Sequence, residues 1–258
     1  MNLITVGGGT NSLAMILEVH RRGIMIDECI FADTKAEKPS TYRSLDALSQ
    51  WLVEHGYKPL IVVSTEKTLE EDCLTRNALP SIAYGFKSCS QRFKLAPQDK
   101  WANHYEPFRT LWAKGEKVTK FIGFDAGEHK RADNAYSRNK DDKKYNFRYP
   151  LIEWNINRDK CIEIIKEAGF EQPGKSSCFF CPNMRKNEIL ILRKEDPELL
   201  KRAITMEKNA DLKTIKGLGR NFSWEEYIWH KENQLSLFDK IDSDFEDEDF
   251  EFPCECWE

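Results

Sequence analysis

The chain has 258 residues, 40% hydrophobic and 32% charged, with a formal net charge of −4. Its apolar runs fall short of the roughly 20 residues that a membrane-spanning helix needs. Met1-Asn2-Leu3-Ile4-Thr5-Val6 runs straight into glycines, without the basic and apolar regions of a secretory signal. A membrane protein is excluded and a cytoplasmic one expected. There the eight cysteines stay reduced, so regular cysteine spacing points to metal or redox chemistry before disulfides.

The charge is unevenly spread. Residues 239–258 hold ten Asp or Glu against the single Lys240, which leaves the first 238 residues at a net +5. A mildly basic body suits phosphates or nucleic acid. The tail has the composition of a solvated linker.

In chain order, residues 3–6 are β-prone, and after the glycines Ser12-Leu13-Ala14-Met15-Ile16-Leu17-Glu18-Val19 carries apolar residues at helical spacing. Cys29-Ile30-Phe31-Ala32 and Leu60-Ile61-Val62-Val63 read as two more buried strands, separated by a helix over 42–55. Phe121-Ile122-Gly123 is a fourth strand candidate, and 145–154 reads as irregular. Helices are expected over 159–169, 186–193, 196–209 and 223–231. Strands alternating with helices predict an α/β fold: a parallel twisted sheet with helices on both faces, Rossmann-like, plus a small, mostly helical C-terminal part. The expected domains are 1–150, 151–238 with a C-x-x-C, and the acidic tail 239–258 ending in C-x-C.

Gly7-Gly8-Gly9-Thr10-Asn11-Ser12 lies between the first strand and the first helix. Glycines let a backbone turn with positive φ and bring its N–H groups to an anion, and the helix dipole adds to the attraction. Ser12 is placed to cap the helix and also to donate its hydroxyl to a phosphate. A tight turn without a ligand is the plain alternative. No Lys-Ser or Lys-Thr follows, so this is not a Walker loop.

The segment resembles the S-G-G-x-D-S phosphate loop of the adenine nucleotide α-hydrolases, or PP-loop ATP pyrophosphatases, and in particular their phosphoadenosine phosphosulfate (PAPS) reductase-like branch. Four further segments agree in order. Asp33-Thr34-Lys35-Ala36-Glu37-Lys38-Pro39-Ser40-Thr41 is similar to the family's D-T-G-x-E-x-P-x-T, and Cys89-Ser90-Gln91-Arg92-Phe93-Lys94-Leu95-Ala96-Pro97 to its C-T-x-x-x-K-x-x-P. Gly123 to Arg131 is similar to its G-x-x-x-x-E-x-x-R, and Tyr149-Pro150-Leu151 with Trp154 to its P-L-x-x-W.

The resemblance implies that Gly7, Gly8, Gly9, Thr10, Asn11, Ser12, Asp33, Thr34, Glu37, Gly123 and Asp125 bind ATP or a related adenine nucleotide. It implies Mg²⁺ as a cofactor, and Ser12, Cys89, Lys94, Glu128 and Arg131 as catalytic candidates. Arg92 joins Lys94 and Arg131 as a cationic clamp. Three positions depart from the motif: Gly7 replaces its first Ser, Asn11 its Asp and Lys35 its Gly. An Asn cannot offer the negative charge that an Asp gives to Mg²⁺, so backbone nucleotide binding survives the change better than hydrolysis.

Cys178-Phe179-Phe180-Cys181-Pro182 sets two thiols on one turn, and Cys254-Glu255-Cys256 offers a second pair. Together the four are enough for a closed tetrahedral zinc site, against the plain alternative of two reduced thiols or a redox disulfide. Alternatively Cys89 joins Cys178, Cys181 and one terminal cysteine in a 4Fe–4S cluster. Cys29 and Cys161 read as core residues. The resemblance implies an enzyme that cleaves or transfers at the α-phosphate to activate a substrate for sulfur transfer or nucleic-acid modification. The alternatives are sulfonucleotide (PAPS or APS) reduction and a silent nucleotide-binding adaptor at DNA. Glu255-Cys256-Trp257-Glu258 lacks the Gly and His of the reductases' E-C-G-x-H tail. Gln234-Leu235-Ser236-Leu237-Phe238 resembles sliding-clamp docking peptides, against the simpler reading that its apolar residues pack on the core. Residues 130–148, with seven Lys or Arg against three Asp and with Tyr136, Tyr145 and Phe147 interleaved, read as a solvated loop or a nucleic-acid loop.

Overall fold

The computed structural model describes residues 1–80, 82–83 and 86–233. The elements run β1 (Asn2–Val6), α1 (Thr10–Arg21), β2 (Glu28–Asp33), α2 (Pro39–Glu54), β3 (Ile61–Ser64), α3 (Leu69–Thr75), β4 (Ile82–Ala83) and β5 (Phe86–Lys87). Then α4 (Ser88–Ser90) passes through a π-helical turn, Gln91–Leu95, into α5 (Ala96–His104). After these come α6 (Glu106–Ala113), β6 (Val118–Phe121), α7 (His129–Asn139), β7 (Tyr145–Arg148), α8 (Pro150–Glu153), α9 (Arg158–Glu167), α10 (Lys186–Glu195), α11 (Pro197–Asn209) and α12 (Trp224–Asn233). No described helix is long and apolar enough to cross a membrane.

Residues 1–66 and 89–176 form one unit, and 67–88 with the described residues from 177 onward form a second. The first is the α/β fold expected. Its five strands are all parallel, in the order β3-β2-β1-β6-β7. Successive crossovers from β1 through β2 to β3 run in one direction, so α1 and α2 share a face. There Ile4, Val6, Cys29 and Phe31 meet Leu13, Ile16, Leu45, Leu48 and Leu52. On the opposite face Leu3, Ile30 and Val118 meet Ala102 of α5 and Phe108 of α6. Helix α1 is buried from Ser12 through Val19 because α9 covers the side turned away from the sheet. That packing explains why the boundary expected near residue 150 falls inside the first unit.

Three elements differ from expectation. β3 is a half-exposed edge strand, with Val62 at 58% exposure, so its apolar run did not mean full burial. The fourth strand of the sheet ends at Phe121 instead of starting there, and 145–148 forms a fifth strand that its polar Asn146 and Arg148 disguised. Residues 129–139 are helical, not a loop, with Ala132 and Ala135 buried.

In the second unit α11 packs on α3, α10 and α12, and Phe179, Phe180, Leu200, Met206, Leu218 and Trp224 are buried. Glu207 is buried beside them. Its carboxylate accepts hydrogen bonds from the Leu218 and Trp224 amides at 2.6 and 3.0 Å, from Ser223 Oγ at 2.5 Å and from the Glu225 amide at 3.3 Å. It fills the N-terminus of α12 with an internal anion. Gly217 makes room: a Cβ there would lie 2.3 Å from Glu207 Oε2.

Candidate functional site

The order of the strands reverses direction between β1 and β6, and ligands of open α/β sheets bind above such a reversal, at the carboxyl ends of the strands. Three segments meet there.

The first is the glycine turn after β1. Gly8 adopts φ +76°, and a Cβ on it would stand 2.7 Å from Thr41 Cγ2 at the start of α2, so the position demands glycine. Gly9 is the N-cap of α1, extended, with no side-chain cap hydrogen bond and no acidic residue in the first turn. The first-turn amides of a helix have no carbonyl within it to bond. Ser12 is buried, and its hydroxyl is spent on the turn, accepting from the Gly7 amide at 3.3 Å and donating to Gly9 O at 3.1 Å.

The second segment follows β6. A Cβ on Gly123 would lie 3.1 Å from Ser12 Cα, so any larger residue would push this backbone a few tenths of an ångström away from the loop. Asn11 Nδ2 donates to Asp125 Oδ2 at 2.9 Å and to Glu128 Oε2 at 3.0 Å. Arg131 Nη1 holds Glu128 Oε1 at 2.6 Å, and its guanidinium lies 4.2 Å from the Phe124 ring centroid.

The third follows β2. Asp33 Oδ1 accepts from Tyr42 OH at 2.9 Å and from the Lys35 amide at 2.7 Å. Burial, then the bond to Asp33, pushes the Tyr42 phenol above its usual range, so it stays a donor. Lys35 has φ 56°, the left-handed conformation that the glycine of the resembled motif adopts freely. The Glu37 side chain is fully buried: Oε1 accepts from Thr34 Oγ1 at 3.3 Å and lies 3.7 Å from Lys94 Nζ, while Oε2 is buried without a hydrogen-bond partner among the described residues. That geometry suits a residue that positions Lys94. Lys94 itself sits on the π-helical turn, a feature frequent at functional sites.

Two participants escaped the sequence reading. Arg158, at the start of α9, donates to Asn11 Oδ1 at 2.8 Å. Residues 172–176 lie against the glycine turn: Gln172 Nε2 donates to Thr10 Oγ1 at 2.7 Å, Thr10 Oγ1 donates to Pro173 O at 3.3 Å, and Ser176 Oγ bonds Gly7 O. Both lie some 150 residues from the loop in sequence, and only the Pro-Gly-Lys-Ser-Ser composition hinted at a turn there.

Arg92 is exposed, its guanidinium 5.4 Å from the Phe93 ring. Cys89 is half-buried at the start of the helical run that carries Lys94. In the second unit Cys178 and Cys181 are half-buried. Their turn is closed by a 3.1 Å bond from the Cys181 amide to Cys178 O and anchored by buried Phe179 and Phe180, packed edge to face. Two thiols so fixed fit half of a tetrahedral thiolate site. Cys254 and Cys256, the acidic tail and the 234–238 peptide lie outside the described residues. Cys29 and Cys161 are core residues, and burial pushes both thiols up to about 12.

Among solved structures, the chain is similar to the U34-tRNA thiolase NcsA from Methanococcus maripaludis with its 4Fe–4S cluster. The identity is 16% and the TM-score 0.42, over 80% of this chain and 71% of that one. No family model matches the sequence, and no curated protein matches it. The functional reading therefore rests on the site itself.

Proposed function

We propose that this protein is an adenine-nucleotide-binding enzyme of the PAPS reductase-like kind. It cleaves or transfers at the phosphate next to the ribose and so activates a second substrate for sulfur transfer or nucleic-acid modification. One observation carries the reading: α1 begins without a side-chain cap or an acidic residue, behind a glycine turn, at the reversal of strand order. The amides of the turn hold phosphate oxygens. Both hydrogen bonds to Asp33 fall on Oδ1, so Oδ2 is the oxygen a ribose hydroxyl meets. Lys94 and Arg131 face the charge that develops on the phosphoryl oxygens. Phosphoryl chemistry asks for positioning and cationic donors more than for a protein nucleophile. Cys89 is the candidate sulfur carrier.

Cys178 and Cys181, with Cys254 and Cys256, form the proposed zinc clasp, which supplies folding energy and not chemistry. In metal analysis, one zinc per chain that is lost in Cys178→Ser supports the clasp. Iron with acid-labile sulfide supports the cluster alternative, and no metal in either protein contradicts both.

Labelled ATP with magnesium tests the main reading. Release of AMP with pyrophosphate, or of an adenylylated acceptor, supports it. Sulfite release from PAPS with thioredoxin transfers it to sulfonucleotide reduction. Tight ATP binding without AMP, ADP or sulfite leaves a nucleotide-binding adaptor. For the last, docking through 234–238 predicts that Phe238→Ala loses a sliding-clamp pull-down, and an unchanged pull-down contradicts it.

A further inference from the structure

Asn11 uses its whole side-chain amide. Nδ2 donates to Asp125 Oδ2 and Glu128 Oε2, and Oδ1 accepts from Arg158 Nη1 at 2.8 Å. The opposite amide orientation would set its oxygen against two carboxylates and its NH₂ against a guanidinium, so the network fixes which end is which. The carboxylates are satisfied elsewhere too. Asp125 Oδ1 accepts from the Gly127 amide at 2.8 Å, Glu128 Oε1 from Arg131 at 2.6 Å, and Glu128 Oε2 also from the Asp125 amide at 3.2 Å. All four oxygens of the pair therefore have protein donors.

A magnesium ion needs near-octahedral oxygens at about 2.0 to 2.1 Å and is usually bound through one or two carboxylates. Here the point on which both carboxylates converge is taken by an amide nitrogen. Two carboxylates are balanced by two guanidiniums, those of Arg131 and Arg158, with Asn11 neutral between them. The donor set does not fit the protein-held Mg²⁺ that the family resemblance implies.

We infer that the nucleotide is held at the glycine turn without a magnesium ion ligated by the protein, the Asn11–Arg158 pair doing structurally what a carboxylate and a metal would do. This rests on the reading of the turn as an adenine-nucleotide site. Any metal bound alongside ATP rides on the nucleotide's own phosphates. An Asp at position 11 would bring a third carboxylate against the pair, leave the network one negative charge in excess, and install a cation requirement.

The test is ATP binding by the full chain, measured calorimetrically in magnesium and in EDTA, with Mn²⁺ as a paramagnetic probe titrated without nucleotide. With no coupling between the sites, the dissociation constant changes by less than about threefold between the two buffers, and wild-type protein takes up no stoichiometric Mn²⁺. Asn11→Asp binds Mn²⁺ and gains about tenfold in ATP affinity on adding magnesium. Wild-type affinity that falls about tenfold or more in EDTA, or Mn²⁺ uptake equal to that of the variant, overturns the inference while leaving the nucleotide site standing. ATP that binds in neither buffer removes the nucleotide reading itself. If Asn11→Asp does not fold, the wild-type comparison still decides.

Discussion

The N-termini of α1 and α12 pose the same electrostatic problem and are solved differently. At α12 the protein supplies the anion: buried Glu207 collects four hydrogen bonds from amides and a hydroxyl, and Gly217 clears its space. At α1 no described side chain caps the N-terminus, and the first turn carries no acid. Instead a glycine turn, with Gly8 at φ +76°, gives the backbone room at the strand-order reversal. One terminus carries its own anion, and the other, on the proposed function, takes the charge of a bound phosphate.

Removing the internal anion has the largest expected effect. Glu207→Ala leaves buried amides unpaired and costs about 3 to 5 kcal/mol in denaturant unfolding. Glu207→Gln keeps an acceptor and costs less. Unfolding midpoints for Glu207→Ala equal to wild type would show that α12 does not depend on its anion. Gly8→Val is next. It forces a β-branched residue into the left-handed region, 2.7 Å from Thr41 Cγ2, at a cost of about 2 to 4 kcal/mol, and ATP binding is lost.

Lys120 supplies the converse of Glu207. It is buried on β6, 5.1 Å from the Tyr145 ring centroid, and burial lowers its pKa against the pull of Asp99 and Asp142. The unfolded chain thus binds this proton more tightly. Stability rises with pH from the folded pKa up to the unfolded value of 10.5. Lys120→Met abolishes that rise and stabilises the protein at pH 7 by about 1 to 2 kcal/mol. A melting temperature that falls in the variant contradicts this.

The smallest stability change sharpens the comparison most. Gly9→Asp places an acid at the N-cap of α1, where the backbone is extended and a Cβ lies 3.5 Å from Ser176 Cβ, an ordinary contact. It makes α1 resemble α12. The variant gains a few tenths of a kcal/mol, up to about 1, and loses about tenfold or more in ATP affinity, because the internal carboxylate occupies the place of the phosphate. Unchanged ATP affinity would mean that the phosphate does not sit there.

Much of this site was legible in the sequence because its parts are local. A triple glycine between a strand and a helix, Asp-Thr after the next strand, and Gly-Phe-Asp-Ala-Gly-Glu after a later one each mark a carboxyl-end loop, and the parallel sheet brings them together. The sheet was readable for the same reason, except where polar Asn146 hid β7 and where Val62 sits on an edge. Arg158 and Gln172 stayed hidden because what selects them is the packing of α9 on α1, which no local pattern encodes. The Ser12 hydroxyl, expected to cap α1 and to meet a phosphate, is bonded within the turn. Glu207 carries no local signal in the sequence, because its partners come from the 217–225 segment.

The central claim is tested most directly by following backbone amide resonances while ATP is titrated into ¹⁵N-labelled protein. The account predicts saturable shifts of Gly8, Gly9, Thr10 and Asn11, with the Leu218, Trp224 and Glu225 amides around Glu207 unmoved. Saturation with the glycine-turn amides unmoved, or no change at millimolar nucleotide, would contradict it.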